Sequence, residues 1–595
     1  MSTRIKDIAW SILFGASALA AQAVSPLPPT PPPSSAGFFP LDQVHRGLQG
    51  VAYTVFEGVQ PEPMGVEILG LLHNALGPGQ DMILARLEGT KPEYTGVVAG
   101  MSGSPVYVDG KLLGALSYRI GMFSKEPIAG ITPIQQMMEV TGQNTKERSG
   151  ENIQEAALTL PPGSGKDDAE AHAIRPMDTA LVFNGFDRQA LEFWKKHSPD
   201  LGLTAVAGIG GSASNEKQPE PIIPGSAVSA LLMRGDLEIA ATCTVTYVDP
   251  KQLLACGHPI TQFGPVSMPM TKAQVVATLP SPLNAFKIIN TTETVGSFTD
   301  DRESAIRGMF GKEAKMIPVT VKLTGEQTPR SLHMEVVDQP QITPSAVMVA
   351  VFQALMQRNE FTAETSYRVS STVNVSGFPA VRFSGMAAPS EFGPANLTAA
   401  LMVGERFTLL YDNAARRTPI ENVSIEVEAI PKHLTAQLAS VQSTAITVHP
   451  GQTITLEATI QPYRGEVRNV RIPVTLPPTL PDGQVRLLIS DGSTLDRLTQ
   501  TPRQGSQPLD VAATIEQLNN LHANDRVYVT LLEPSAQAVL DGRTLTTVPV
   551  SMANVLEPLR QNQKLMLNGE SAVPMASAPV DSMLSGQQVL TLRVE

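Results

Sequence analysis

The sequence predicts a mainly β protein built from several domains. Its 595 residues are too many for one hydrophobic core, and 42% of them are hydrophobic against 17% charged, as in a globular protein. The chain also contains 49 prolines and 46 glycines but only 5% aromatic residues. That composition favours many short strands joined by turns over long helices.

Composition and motifs also exclude some classes of function. The net charge of −12 argues against a nucleic-acid surface. The nine histidines are scattered and form no His-Glu-x-x-His pattern, so we expect neither a metal nor another cofactor. Gly163-Ser164-Gly165-Lys166 lacks the spacing of a phosphate-binding loop, which leaves it as part of a linker.

The N-terminal segment predicts export. Two basic residues precede an apolar run from Ile8 to Ala21, and small residues offer cleavage sites at Ala18-Leu19-Ala20 and Ala21-Gln22-Ala23. This layout is typical of a signal peptide over residues 1–23, and the alternative is an uncleaved N-terminal anchor. Either way we expect the bulk of the chain in the periplasm or cell envelope, or secreted.

A proline-rich stretch over residues 24–38 is expected to form a stiff tether between the export signal and the folded protein. The first folded unit, residues 39–147, contains strand-like runs and an Asp109-Gly110 pair, which predicts a tight hairpin turn. The run from Ile131 to Met138 is predicted to begin a short helix, with Thr132 as the N-cap and Pro133 at the first helical position.

Residues 100–105, Gly-Met-Ser-Gly-Ser-Pro, are the strongest functional signal in the chain. A serine between glycines, followed directly by an apolar strand, is the setting of a chymotrypsin-like nucleophile. Glycine reaches the backbone angles that aim N–H groups at one point, so Gly100 and Ser102 are the candidate oxyanion donors, with Ser102 as the attacking group. Ser104 is interpreted as structural, and the alternative for the whole segment is a plain turn.

The polar stretch over residues 148–175 reads as a linker, and the unit after it, residues 176–390, is strand-rich. Helices are predicted in it over Asp187–His197 and over Ile342–Asn359, the second with a core-facing apolar stripe. Cys243 and Cys256, which flank one turn, could pair in an oxidising compartment; the alternative is two small buried residues.

The pattern of apolar and polar residues changes after about residue 390. Apolar and polar residues alternate strictly in several runs, such as Val423 to Val427 and Ile454 to Ile460. This period of two, with proline and glycine turns between runs, predicts an immunoglobulin-like β-sandwich over residues 395–490. Residues 491–595 are expected to form a separate, small C-terminal domain.

A serine nucleophile needs a base, and His258 is the candidate. It follows a predicted strand in Ala255-Cys256-Gly257-His258-Pro259, where the glycine and proline fix the backbone and leave the ring at a strand edge. The alternative is a structural histidine.

These segments resemble the SpoIVB-type peptidases, a family of chymotrypsin-like serine proteases. The serine loop and the hairpin after it carry the resemblance, as do Tyr247-Val248-Asp249-Pro250 with Gly257-His258, and the downstream run Val295–Arg302 with Gly308–Gly311. The match covers roughly residues 40–140 and 225–330. It implies two chymotrypsin-like β-barrel modules, a serine-bearing one over residues 39–147 and a histidine-bearing, β-rich one over residues 176–390, with the active site between them.

The order of the two modules is swapped relative to that family, which a triad tolerates because its geometry recurs in several chain orders. The family also implies an orienting acid shortly before the serine, a position that Glu88 occupies here. Asp81 is the next candidate, followed by Asp300 and Asp301, and each is equally well read as a surface carboxylate.

The sequence therefore predicts an exported serine endopeptidase in which Ser102 attacks, His258 is the base and Glu88 orients the ring. Its expected partner is a protein or peptide substrate, with a cell-envelope protein as a further partner through the C-terminal domains. The rival class is a non-catalytic exported binding or scaffold protein on the same fold. An esterase is a weaker alternative, since the serine is not in a Gly-x-Ser-x-Gly context.

Overall fold

The protein is mainly β and contains a closed six-stranded barrel and further sheets. The structure is a computed structural model, and it describes residues 27–120, 126–142, 174–199, 203–208, 217–262, 264–281, 285–325, 329–356, 364–391, 393–412, 419–499, 510–534, 536–540, 543–549, 551–552, 554–556, 565–568 and 570–595. The predicted signal peptide, and all of the predicted linker except its last two residues, lie outside the described residues.

The closed barrel belongs to the serine-bearing unit. Two short 3₁₀ helices, Ser34–Ala36 and Leu41–Gln43, precede it. Its elements are β1 (Gln49–Thr54), β2 (Glu62–Gly77), β3 (Gln80–Glu88), α1 (Thr90–Thr95), β4 (Pro105–Val108), β5 (Lys111–Ile120), β6 (Ile128–Pro133), α2 (Ile134–Gly142) and β7 (Ile174–Pro176). The strand order is β4-β1-β2-β3-β6-β5-β7, and the additional β4–β5 pairing closes six strands into the barrel.

The β4–β5 hairpin forms where the sequence predicts it. Asp109 and Gly110 both have positive φ, 51° and 75°, as the two-residue turn of a twisted hairpin requires. The start of α2 differs from the prediction, because strand β6 continues through Pro133 and the Thr132 hydroxyl donates to the Gly257 carbonyl instead of capping the helix.

The second unit is a large mixed sheet with helices packed against it. Its elements are β8 (Thr179–Asn184), α3 (Arg188–His197), β9 (Leu203–Ala207), β10 (Ala227–Gly235), β11 (Glu238–Val248), β12 (Gln252–Ala255), β13 (Gly264–Leu279), β14 (Phe286–Arg302), β15 (Ala305–Phe310), β16 (Met316–Thr324), β17 (Arg330–Val337), α4 (Thr343–Met356), β18 (Ser366–Val375), β19 (Val381–Ala387), α5 (Ala395–Tyr411) and β20 (Ile420–Ile430). Six of these strands pair in a ring, β10-β13-β14-β15-β12-β11, which the β10–β11 pairing completes.

Two predicted helices of this unit are present. Helix α3 begins after Asp187, whose carboxylate accepts the Ala190 N–H as an N-cap. Helix α4 is buried from Thr343 to Leu355 rather than along one stripe, because it lies between the sheet and helices α3 and α5. That setting explains its nearly continuous apolar sequence.

The C-terminal region differs from the prediction. Strand β20 belongs to the large sheet, where it pairs parallel with β16 and antiparallel with β18. The remaining elements are β21 (Thr435–Ser443), β22 (Thr447–Val448), β23 (Thr453–Pro462), β24 (Arg468–Thr475), β25 (Gly483–Ser490), α6 (Gly492–Thr499), α7 (Val511–Asn519), β26 (Arg526–Glu533), β27 (Ala536–Leu540), β28 (Arg543–Val548), β29 (Leu565–Asn568), β30 (Ser571–Pro579), β31 (Met583–Ser585) and β32 (Gln587–Val594).

These strands make a four-stranded sheet, β24-β23-β21-β31, a five-stranded sheet, β22-β32-β25-β26-β30, and a three-stranded sheet, β28-β27-β29. One hydrophobic core joins the first two. The last strands of the chain thus complete the same sandwich: β31 pairs with β21, and β32 with β22 and β25. The predicted boundaries at residues 395 and 490 are therefore wrong, since the sandwich begins near residue 435 and includes the region expected to be a separate domain.

The proline-rich stretch is docked onto the protein where a free tether was expected. The Tyr53 hydroxyl donates to the Pro28 carbonyl at 3.1 Å, and the Tyr107 hydroxyl donates to the Pro32 carbonyl at 3.3 Å. Further along, the N–H of Val248 donates to the Ser34 hydroxyl at 3.3 Å. The stretch consequently bridges β1 and β4 of the barrel to β11 of the large sheet.

No helix among the described residues is long and apolar enough to cross a membrane.

Candidate functional site

The Ser102 loop lies where the barrel meets the large sheet, and its carbonyl groups are held from that sheet. The N–H of Thr244 on β11 donates to the Ser102 carbonyl at 2.7 Å. The Thr244 hydroxyl donates to the Gly100 carbonyl at 2.9 Å, and the Thr246 hydroxyl donates to the Gly103 carbonyl at 2.7 Å. The conformation of the serine loop therefore depends on the histidine-bearing unit.

Two N–H groups of this loop remain free. From Ala99 to Ser104, every backbone N–H donates to a carbonyl except those of Gly100 and Ser102, which have no acceptor among the described residues. Each of these two N–H groups shares a planar trans peptide with the carbonyl of the preceding residue, and that carbonyl is held by a hydrogen bond. The Ala99 carbonyl accepts from the N–H of Lys287, and the Met101 carbonyl accepts from the N–H and hydroxyl of Ser104. The free groups are the two that the sequence assigned to the oxyanion hole.

Gly103 allows the loop to approach the large sheet. It has a φ of +92°, and a Cβ at this position would lie 1.9 Å from the Thr244 carbonyl oxygen and 2.5 Å from the Cys256 nitrogen. Both are backbone atoms that cannot move aside easily. A glycine is therefore required for the serine to lie beside the strand end that leads to His258.

His258 follows a tight reversal at the end of β12. Cys256 and Gly257 both have positive φ, 68° and 72°. A Cβ on Gly257 would lie 2.0 Å from the Ser117 hydroxyl on β5 of the barrel. The histidine turn is thus pressed against the barrel as closely as the serine loop is pressed against the sheet.

The tautomer of His258 suits a general base. Its Nδ1 lies 2.8 Å from the Pro259 carbonyl, which can only accept, so Nδ1 carries the proton and Nε2 presents a lone pair. The pKa of His258 is lowered to about 4, chiefly because burial disfavours the charged ring, while the hydrogen bond to Pro259 and the charge of Asp178 act in the opposite direction. The ring is accordingly neutral at pH 7.

The structure does not bring Glu88 to this ring. Glu88 ends β3, half-buried, with its side chain beside Gly65 on the paired strand β2. The hydrogen bond to Nδ1 that the sequence assigned to Glu88 is made by the Pro259 carbonyl, which fixes the ring without a carboxylate. The acid whose charge acts on His258 is Asp178, which is paired with Arg119 at 2.8 Å.

The alternative acids have structural roles. Asp301 is buried and accepts the N–H groups of Ile260, Thr261 and Gln262, so it fixes the segment that follows His258. Asp300 is paired with Arg307 at 2.6 Å.

Asp81 is the second residue of β3, where its carboxylate accepts the N–H of Asn74 at 2.9 Å, a bond that lowers the pKa of its carboxyl. None of these three carboxylates takes the position expected of an orienting acid.

Cys243 and Cys256 are joined in a disulfide, with their Cα atoms 5.2 Å apart. The bridge ties β11, whose threonines hold the serine loop, to the residue two positions before His258. It therefore links the two halves of the candidate site within the large sheet.

Ser102 and His258 are closed off in this structure. Their exposed fractions are 0% and 1%, and neither the Ser102 Oγ nor the His258 Nε2 has a hydrogen-bond partner among the residues that the structure describes, so the two do not bond to each other here. A buried polar atom without a partner costs roughly 1–3 kcal/mol. Each such atom needs an explanation, and these two lie on segments that meet at the junction of the barrel and the large sheet.

Sequence reasoning missed the residues that support the site. Thr244 and Thr246 alternate with apolar residues on β11, and Lys287 stands between apolar residues at the start of β14. Lys287 is only 2% exposed, and its amine donates to the Thr54 hydroxyl at 2.6 Å. Burial lowers its pKa to about 7. The alternating threonines are ordinary strand residues, so the sequence held no signal that could have identified them.

We expect Lys287→Met to stabilise the protein at neutral pH. The pKa of Lys287, about 7 when folded, lies below the value of 10.5 for an unburied lysine. The unfolded chain therefore binds more protons between these values, and wild-type stability rises with pH across this window. Removing the amine should raise the free energy of unfolding by about 4 kcal/mol at pH 7, an advantage that falls below about 1 kcal/mol by pH 10.

Scanning calorimetry at a series of pH values measures this effect, with Lys111→Met, a change at an exposed position on β5, as the matched control. The control should shift the unfolding temperature little at any pH. A Lys287→Met protein that is less stable than the wild type at pH 7 would contradict the expectation.

No protein-family profile matches the chain, and no curated protein or solved structure is significantly similar to it. Among the described residues, no three histidine, cysteine, aspartate or glutamate side chains are grouped so that they could hold a metal ion.

Proposed function

We propose that the protein is an exported serine endopeptidase of the SpoIVB type that cleaves peptide bonds at a Ser102/His258 site between its two β modules. One observation carries the proposal. Among the described residues, no acceptor is found for the N–H groups of Gly100 and Ser102, and no partner is found for the Ser102 Oγ or the His258 Nε2. The pairing of six strands in each unit is also what two chymotrypsin-like barrels would require.

In this proposal the Ser102 Oγ attacks the carbonyl carbon of the scissile peptide, and the His258 Nε2 takes the hydroxyl proton. The N–H groups of Gly100 and Ser102 bind the oxygen as it becomes negative. Nε2 then gives its proton to the leaving amine, which departs as the acyl-enzyme forms. Water, deprotonated by the same nitrogen, attacks the acyl carbon and releases the acid and Ser102.

Substrate access requires movement, because both reacting side chains are buried. Full burial is also the observation that favours a second candidate function, a non-catalytic exported binding or scaffold protein. In that case the cell-envelope partner would dock elsewhere, for example on the C-terminal sandwich.

A fluorophosphonate probe separates the two functions, because it reacts with activated serines and reports on the modified residue by peptide mass. We expect the purified protein to be labelled at Ser102, and Ser102→Ala to remove the label. Ser104→Ala is the matched control: its N–H still holds the Met101 carbonyl after the hydroxyl is lost, so labelling should persist. An unlabelled wild type, or a label that survives Ser102→Ala, would overturn the proposal.

A further inference from the structure

Lys287 is a buried amine that the proposed mechanism does not use. Its amine faces no charged partner among the described residues, and its side-chain hydrogen bond goes to Thr54 on β1 of the barrel. A buried charge without a partner is destabilising, and a methionine would fill the same space without that penalty. Stability therefore does not account for an amine at this position.

The amine begins a directed chain of hydrogen bonds that ends in the serine loop. Lys287 donates to the Thr54 hydroxyl at 2.6 Å, and the hydroxyls of Thr54 and Thr244 lie 3.3 Å apart. The Thr244 hydroxyl uses its hydrogen on the Gly100 carbonyl at 2.9 Å, so Thr54 must be the donor in the middle step. A cationic donor at the head of such a chain strengthens each later bond.

Lys287 also contacts the other side of Gly100. Its backbone N–H donates to the Ala99 carbonyl at 3.1 Å, and its stem lies along Gly100, where an added Cβ would meet the Lys287 Cδ at 3.2 Å. The Ala99 carbonyl and the Gly100 N–H belong to one planar peptide and point in opposite directions. Holding the carbonyl therefore aims the N–H away from Lys287.

We propose that Lys287 is a positioning residue for the oxyanion hole: its backbone and, through Thr54 and Thr244, its amine fix the two peptide groups on either side of Gly100. The inference rests on the proposed function. The Gly100 N–H belongs to the barrel, but residues of the large sheet set its direction. The oxyanion hole is therefore complete only when the two units are joined.

The test is the kinetics of fluorophosphonate labelling at Ser102. Lys287→Met keeps the stem against Gly100 and removes the amine, and Thr54→Val breaks the same chain at its middle. We expect the maximal labelling rate to fall at least tenfold in both variants, while the probe concentration that gives half of that rate changes less than twofold. A donor that is present but misaimed weakens the transition state and leaves probe binding unchanged.

Thr278→Val is the matched control, because the Thr278 hydroxyl makes a similar bond to the barrel, to the Phe56 carbonyl at 2.7 Å, away from the loop. It should label at the wild-type rate. Wild-type maximal rates in both Lys287→Met and Thr54→Val would overturn this inference and leave the proposed function standing. A wild type that is not labelled at Ser102 would overturn both.

Discussion

His258→Ala is expected to lower the rate of Ser102 labelling by about 10⁴-fold or more, which is the effect of removing the base from a serine protease. The reason is specific to this site. Nδ1 is committed to the Pro259 carbonyl, so Nε2 is the atom able to accept the Ser102 proton. Stopped-time labelling with detection of the modified peptide measures a difference of this size directly.

Glu88→Gln serves as the comparison for this variant. Because the Glu88 side chain lies beside Gly65 and Nδ1 bonds to Pro259, we expect labelling within about twofold of the wild type. If Glu88→Gln instead slowed labelling as much as His258→Ala, the histidine would depend on a carboxylate after all. The assignment of ring orientation to a backbone carbonyl would then be wrong.

Gly103→Ala is expected to disrupt the join between the barrel and the large sheet. The new Cβ would lie 1.9 Å from the Thr244 carbonyl oxygen, at a φ of +92° that side chains rarely adopt. The loop would have to retreat, with loss of the bonds from Thr244 and Thr246. We expect a loss of more than about 4 kcal/mol in the free energy of unfolding, together with loss of labelling at Ser102.

Gly110→Ala isolates the part of this effect that comes from backbone strain. Gly110 has a φ of +75° and nothing within 4 Å of an added Cβ. Gly110→Ala should lower the free energy of unfolding by only about 1–2 kcal/mol, because alanine is strained in the left-handed backbone region, and labelling should continue. Denaturant titration of both variants gives the comparison. Equal losses in the two proteins would mean that the close approach at Gly103 contributes nothing.

Local signals predicted the local parts of the fold. The Asp109-Gly110 turn and helix α3 depend on residues next to one another in the chain, so both could be predicted from the sequence. Strand β20 was legible as a strand but was assigned to the wrong sheet. A period of two shows that one face of a strand is buried, but it does not show which element covers that face. The partners of β20, which are β16 and β18, are set by packing that the pattern does not encode.

The same limit applies to the sandwich. Its first strands alternate clearly between apolar and polar residues. Strand β31 near the C-terminus, however, pairs with β21, which lies about 150 residues earlier in the chain, so that Ala436 is opposite Leu584. No turn chemistry marks a pairing over that distance. The last hundred residues were consequently expected to fold by themselves.

The site divides in a similar way. Ser102, Gly100 and His258 stand in glycine-rich segments whose backbone geometry is unusual, and that is readable in a sequence. Thr244 and Lys287 are ordinary strand residues, and they form their hydrogen bonds to the barrel only because the two sheets are in contact. The Pro259 carbonyl could not have been predicted, because a search for an orienting group considers side chains and every residue has a carbonyl.

The proposed function requires Ser102 and His258 to meet across the two units around a preformed oxyanion hole. A crystal structure of the protein with a phosphonate bound covalently to Ser102 tests it most directly. We expect a phosphoryl oxygen about 2.7–3.1 Å from the nitrogens of both Gly100 and Ser102, with the His258 Nε2 bonded to the adduct. An adduct on another residue, or a phosphoryl oxygen turned away from both N–H groups, would contradict it.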